Sequence, residues 1–140
     1  MSPIQYCKIS IADYDECIDL WKNSPGIALS KADSKQNFAH FMGRNPGLGF
    51  VARDKEKLVG AVLGGNDGRR GYLYHLAVAK DYQYLGIGKT LTKKVLKALK
   101  EQGLQKCHIF VIADNLEGMR FWQKTGWKKR EDIFIMSKDL

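Results

Sequence analysis

The sequence predicts an α/β fold of the α+β type, in which helices flank a central mixed sheet that is mostly antiparallel. Two β-forming runs, 49–53 and 58–64, are separated by a short charged turn, a pattern typical of an antiparallel hairpin. A long helical pattern after Gly88 joins a strand at 72–79 to a strand at 107–112, and such a crossover allows two strands to lie parallel. The predicted order of elements is β-α-α-β-β-β-α-β-α-β.

The N-terminal third is predicted to form a strand at 4–11 and two amphipathic helices. The first helix opens at Asp13, with Glu16 in the position that completes a capping box. The second opens at Asp33 by the same reasoning. Apolar side chains at helical spacing predict that both helices pack on the sheet; they are Tyr14, Cys17, Ile18 and Trp21 in the first helix and Phe38, Phe41 and Met42 in the second.

The strand at 72–79 is rich in β-forming residues and too apolar for an edge, so we place it at the centre of the sheet. The helix after Gly88 turns Leu91, Val95, Ala98 and Leu99 inward and ends near Gly103. A last helix is predicted to be capped by Asp114 with Glu117, and a closing strand covers 133–136.

Composition narrows the class of protein before any motif is considered. The 140 residues are 44% hydrophobic, so we expect one globular domain over 1–140. The net charge of +8 favours anionic partners. The three cysteines, Cys7, Cys17 and Cys107, are too scattered for a disulfide framework or a zinc site, and His40 and His108 lack ligand-spaced neighbours. No leader or membrane span is recognisable, so we expect a soluble, metal-free protein of the reducing cytoplasm.

The segment Gln83–Thr90 lies between the central strand and the N-terminus of the long helix. Its glycines let backbone N–H groups approach an anion, and the helix terminus adds a partial positive charge. A Walker A loop would need glycine at Gln83, and a dinucleotide fingerprint would need glycine at Leu91, so both are excluded. The segment is therefore predicted to cradle the phosphates of some other ligand.

Two blocks resemble the GNAT superfamily of acetyl-CoA-dependent N-acetyltransferases. The first is Q-x-x-G-x-G at 83–88, following the strand that ends Leu-Ala-Val. The second is N-x-x-G-x-x-F-W-x-x-x-G-W at 115–127, similar to the family's N-x-x-A-x-x-F-Y-x-x-x-G-F. The resemblance covers nearly the whole chain and implies the GNAT fold and an acyltransferase that moves the acetyl group of acetyl-CoA to a primary amine by direct attack in a ternary complex.

The resemblance also implies where acetyl-CoA lies. The pyrophosphate would rest on the amides of the Gln83–Lys89 loop, and the pantetheine arm would follow the central strand. Asn115 is expected to contact the cofactor, although a helix cap is the alternative. The implied cofactor-binding residues are Leu76, Ala77, Val78, Gln83, Tyr84, Leu85, Gly86, Ile87, Gly88, Lys89, Thr90, Asn115, Phe121 and Trp122.

The candidate catalytic groups are Tyr72, His75 and the backbone N–H of Val78, the last as an oxyanion donor at a bulge. Trp122 stands where relatives often place a tyrosine acid, and an indole cannot protonate a thiolate. Tyrosines stand where many relatives place a glutamate base, so a base acting through ordered water is preferred. A regular strand would point His75 to the opposite face, and a bulge would change that direction.

Other functions stay open at this stage. The missing tyrosine and glutamate allow a GNAT-like domain that binds acetyl-CoA with little catalysis. The positive charge allows a nucleic-acid-binding module, which the scattered basic residues and the lack of a recognition motif disfavour. The acceptor is open between small-molecule and protein amines, and a homodimer through the C-terminal strand is one option.

Overall fold

The computed structural model describes residues 3–140, which form a five-stranded sheet in the order β1-β2-β3-β4-β5 with helices on both faces. Short 3-10 turns at 11–13, 31–33 and 80–82 connect several elements. The elements are β1 (Ile4–Lys8), α1 (Tyr14–Lys22), α2 (Lys35–Arg44), β2 (Phe50–Asp54), β3 (Lys57–Asn66), β4 (Gly71–Val78), α3 (Ile87–Glu101), β5 (Cys107–Ile109) and α4 (Leu116–Lys124).

The mixed sheet that the sequence predicts is confirmed. β2 and β3 form the antiparallel hairpin, and β3 continues antiparallel to β4. β4 and β5 are parallel, as expected from the crossover through α3. β4 lies between two other strands, although the sheet's central position is taken by β3. The prediction of a single domain over 1–140 stays a prediction.

Apolar side chains fill both faces of the sheet. Leu91, Val95 and Leu99 of α3 pack on one face, and Cys17, Trp21 of α1 and Phe38 of α2 pack on the other. The inward faces predicted for these helices are confirmed, because each named apolar residue belongs to one of these two cores or packs against it. Within residues 3–140, no helix combines the length and the apolar character needed to cross a membrane.

Asp13 occupies the predicted N-cap position of α1, but its side chain makes no capping hydrogen bond, and the caps predicted at Asp33 and Asp114 are wrong. Asp13 and Glu16 bind Arg53 instead of capping α1, with contacts of 2.7 and 2.9 Å. The α2 helix is capped by Ser34, whose hydroxyl accepts the N–H of Asn37. The α4 helix is capped by Asn115 rather than Asp114. Asp13 contacts the Arg53 guanidinium and Asp33 contacts the His75 imidazole, both far away in the sequence. The spacing of neighbouring residues does not reveal such partners.

The two terminal strands differ from expectation. β1 ends at Lys8 and is followed by the 3-10 turn at 11–13, so it is shorter than predicted. The closing strand at 133–136 is wrong: these residues lie exposed and outside the five-stranded sheet. Their β-forming side chains are not sufficient, because a strand exists only when its backbone pairs with a neighbouring strand.

Candidate functional site

A bulge in β4 sets the geometry of the site. Ala77 pairs with Ala61 of β3, but the next aligned pair is Tyr74 with Leu63, so β4 holds one extra residue. His75 lies in this bulge with a φ of 54°, a left-handed conformation that non-glycine residues adopt at a cost of about 1–3 kcal/mol. Such strain persists only where the surrounding contacts enforce it.

The bulge turns His75 toward α1 and the turn before α2. Its ring packs 5.1 Å from the ring of Trp21, and its Nε2 lies 2.8 Å from Oδ1 of Asp33. The direction expected for a regular strand is therefore wrong, because the extra residue breaks the alternation of side chains. When Nε2 carries the proton donated to the carboxylate, Nδ1 carries the lone pair and can accept a proton.

Asp33 and Trp21 are site residues that sequence reasoning missed. Asp33 is separated from His75 by 42 positions, and its spacing suggested only a helix cap. The Nε1–H of Trp21 is buried and has no partner among residues 3–140. A buried N–H without a protein acceptor is usually satisfied by water, so the wall beside His75 suits a water molecule.

The edge of β4 beyond Leu73 is not paired with β5, and we call this unpaired edge the opening. Pairing between the two strands stops at Leu73 with Ile109. On the other edge, the N–H of Ala79 donates to the carbonyl of Val59 over 2.8 Å. Because successive N–H groups of a strand point to opposite edges, the N–H of Val78 points toward the opening. This is the direction that an oxyanion donor needs.

The Gln83–Thr90 loop leads from β4 into α3 through two left-handed residues, Tyr84 (φ 63°) and Gly86 (φ 85°). The N–H of Thr90 makes the first helical bond, to the carbonyl of Gly86. The N–H groups of Ile87, Gly88 and Lys89 therefore have no partner within the helix, as at any helix start. They form a cradle for an anion, strengthened by the helix dipole.

Side chains around the cradle have distinct positions. Ile87 is buried in the core, so only its backbone faces the cradle. The amide Nε2 of Gln83 donates to the carbonyl of Val78 over 3.1 Å, which ties the loop to β4. Lys89 and Leu85 are exposed beside it. A Cβ added to Gly88 would lie 3.5 Å from the ring of Phe121, so a larger residue there would narrow the gap between α3 and α4.

The loop and the start of α4 are in direct contact. The hydroxyl of Tyr84 donates to Oε1 of Glu117 over 3.0 Å, and this bond raises the pKa of Tyr84. The Oδ1 of Asn115 accepts the N–H of Gly118 over 3.0 Å, so the capping alternative is what the geometry shows for this side chain. Its Nδ2 lies against Gly26 of the loop between α1 and α2.

The remaining predicted site residues lie on two different faces of the sheet. Leu76 and Val78 pack against the α3 core, whereas Ala77 belongs to the opposite core. Trp122 packs against the α3 core with Trp127 at 5.2 Å. Tyr72 stacks on Tyr74, with ring centroids 6.2 Å apart. No cluster of three potential metal ligands occurs within the part of the chain that the structure describes.

Comparison with known proteins gives the site a context. An acetyltransferase of Sodalis glossinidius is 28% identical over 91% of this chain and 89% of its own length. An acetyltransferase of Pectobacterium atrosepticum is 32% identical over 88% of this chain and 86% of its own length.

Solved structures share the fold. The PaiA N-acetyltransferase of Thermoplasma acidophilum, determined in complex with coenzyme A, matches with a TM-score of 0.80 and 24% identity, over 90% of each chain. A GNAT-family acetyltransferase of Staphylococcus aureus matches with a TM-score of 0.79 and 23% identity, over 94% of this chain and 89% of its own. The model of the acetyltransferase (GNAT) family matches residues 14–127, and the chain therefore belongs to that family.

Proposed function

We propose that this acyltransferase moves the acetyl group of acetyl-CoA to a primary amine by direct attack in a ternary complex. The observation that carries the proposal is the opened, bulged strand β4. One edge directs the N–H of Val78 into the opening next to the anion cradle, and the bulge turns His75 to the other face. A donor and an acceptor can therefore approach the same strand from opposite sides.

The cofactor's anionic end is assigned to the cradle. The N–H groups of Ile87, Gly88 and Lys89 suit a pyrophosphate, and the exposed Lys89 ammonium adds positive charge. The pantetheine arm would then run along Leu76 and Val78 in the gap left by β5, near Phe121. The fit rests on unpaired donors and on open space, both of which the structure contains.

The chemistry requires the acceptor to lose a proton before it attacks. A water-bridged or direct transfer to Nδ1 of His75 would convert an ammonium into the amine, whose lone pair attacks the thioester carbonyl carbon. The new C–N bond forms, the Val78 N–H stabilises the oxyanion, and the C–S bond breaks to release CoA. The second amine proton leaves with the thiolate sulfur, so products are an acetamide and CoA thiol.

Asp33 is the positioning residue in this scheme. Its carboxylate fixes the proton of His75 on Nε2 and stabilises the imidazolium that forms. Trp122 takes no proton-transfer role, since it packs against the core and an indole is no acid. Water is proposed to relay the second amine proton to the departing thiolate, which is a fair leaving group near neutral pH.

A second candidate is an acetyl-CoA-binding domain with little catalysis, and the core position of Trp122 favours it. A turnover assay with a panel of amines separates the two, with release of free CoA thiol as the signal. Turnover that depends on both acetyl-CoA and an amine supports the enzyme. Tight acetyl-CoA binding without thiol release for any amine would favour the binding domain.

We also propose a homodimer in a reducing cytoplasm. Ile133, Phe134, Ile135 and Met136 are exposed, as expected for a segment that a second copy covers. The free cysteines are consistent with a reducing compartment. Light scattering of the wild type and a Phe134→Asp variant tests the contact: a wild-type dimer that becomes monomeric supports it, and a wild-type monomer rejects it.

A further inference from the structure

Three aromatic side chains line the acceptor face of the sheet beside His75. Tyr72 and Phe110 stack with ring centroids 6.0 Å apart and planes at 15°, and Tyr74 lies 6.3 Å from Phe110. Phe41 closes one side by an edge contact of 5.9 Å with Tyr74. We name the set Tyr72, Tyr74 and Phe110 the aromatic wall.

The wall is not buried as core. Phe110 is 56% exposed, and both tyrosines are only partly covered. Neither tyrosine hydroxyl has a hydrogen-bond partner among residues 3–140. A packed core would cover these rings, whereas a binding surface keeps them accessible.

A cleft of about 430 Å³ runs along the wall, which is within the usual size for a small-molecule site. Tyr72, Tyr74 and Phe41 supply its apolar lining, and Ala32 reaches its end. Ala32 directly precedes Asp33, and Tyr74 directly precedes His75, so two lining residues of the cleft are chain neighbours of the His75–Asp33 pair, which itself lies outside the lining. Asp67 at the opposite end accepts the N–H groups of Arg69 and Arg70, which lowers its pKa and keeps it charged.

We propose that the acceptor is an arylalkylamine, whose ring packs on the aromatic wall while its amine reaches His75. The proposal rests on the proposed acetyl transfer and adds the substrate class. Planar rings gain contact with aromatic faces beyond simple area burial. Because a strand rises ~3.4 Å per residue, Tyr74 lies about one residue along β4 from His75, which a linker of two or three carbons can span. Tyr72, about 10 Å away, lies beyond the reach of that linker.

The test compares kcat/KM for 2-phenylethylamine, 2-cyclohexylethylamine and n-butylamine. The three share a primary amine, and the cyclohexyl compound separates an aromatic preference from a merely apolar one. Wild-type protein should favour the phenyl compound over the cyclohexyl compound by about threefold to tenfold. Phe110→Leu should remove that preference. Ile11→Ala, at an exposed apolar residue in the turn after β1, is the control and should keep the wild-type preference.

The outcomes separate this inference from the proposed function. Turnover of all three amines without a phenyl preference would overturn the arylalkylamine assignment and leave the acetyl transfer standing. If no amine is turned over, calorimetric titration of 2-phenylethylamine into the CoA complex decides the inference. Binding that Phe110→Leu weakens supports it, and the absence of binding rejects it. Failure of the protein to bind acetyl-CoA would reject the proposed function itself.

Discussion

His75 combines three properties: a left-handed backbone, a partly buried carboxylate partner and a position on a β-bulge. Glycine adopts a φ of 54° without the steric cost that histidine bears. The fold therefore tolerates histidine here although a smaller residue fits the backbone better. This is the pattern expected where a side chain is retained for its chemistry.

His75→Gly should lower kcat by about 10²–10⁴-fold, because a general base is lost, while the protein remains folded. Added imidazole should restore part of the activity by occupying the vacated space. Lys55→Gly, at an exposed turn residue whose φ of 56° is also left-handed, is the control and should keep full activity. Unchanged turnover in His75→Gly would contradict the assignment of the base.

Cys17 gives a second prediction at this scale. Burial raises the pKa of its thiol from 9.0 to about 12. Above pH 9 the unfolded chain loses this proton while the folded chain keeps it, so unfolding becomes more favourable as pH rises. Above pH 9, this thiol should lower the free energy of unfolding by up to about 1.4 kcal/mol for each pH unit.

Urea unfolding at pH values below and above 9 measures this effect. Cys17→Ala should show a shallower fall in the free energy of unfolding than wild type, whatever its absolute stability. Cys7→Ala, at an exposed thiol, should keep the wild-type slope. Equal slopes for wild type and Cys17→Ala would show that the buried thiol does not control the alkaline transition.

At the scale of elements, Arg53 joins the sheet to α1. Its guanidinium contacts Asp13 at 2.7 Å and Glu16 at 2.9 Å, and it also donates to the carbonyl of Glu56. The bond to Glu16 is the main reason that the pKa of Arg53 is raised. The contacts of Arg53 with these two carboxylates hold α1, and with it Trp21, against the face of the sheet that carries His75.

Arg53→Ala should lower the free energy of unfolding by roughly 1–3 kcal/mol, because both carboxylates lose their cation. Solvent screening of this partly exposed site limits the size of the loss. Arg130→Ala removes an exposed local pair with Asp132 and should change stability by less than about 0.5 kcal/mol. Urea unfolding of both variants provides the comparison. A similar loss in the two variants would contradict the structural role of Arg53.

Element types were predictable where periodicity and burial agreed. The apolar spacing of α3 places Leu91, Val95 and Leu99 in the core, and the charged turn between two β-forming runs gives the hairpin of β2 and β3. The side-chain caps of the helices were less predictable, because Asp13 and Asp33 bind distant partners. The closing strand failed because β propensity at 133–136 says nothing of whether an edge is available.

At the scale of the whole molecule, the Gln83–Thr90 loop and His75 were both candidates from sequence, whereas the partner of His75 was not. Glycines next to a helix start are a local signal, so Gln83–Thr90 could be found by inspection. The contact between Asp33 and His75 spans 42 positions and depends on a bulge and on the packing of α1. Spacing within one segment carries no information on such a contact.

The central claim is that acetyl-CoA binds at the start of α3, and calorimetric titration tests it most directly. Gly86 and Gly103 lie at opposite ends of this helix, with φ of 85° and 90° and open space at each Cβ position. Gly86→Asp and Gly103→Asp therefore share backbone strain and added charge and differ only in position. We predict acetyl-CoA affinity on the order of micromolar for wild type and Gly103→Asp, and a loss of about tenfold or more for Gly86→Asp. Equal affinity in the two variants, or no binding by wild type, would contradict the account.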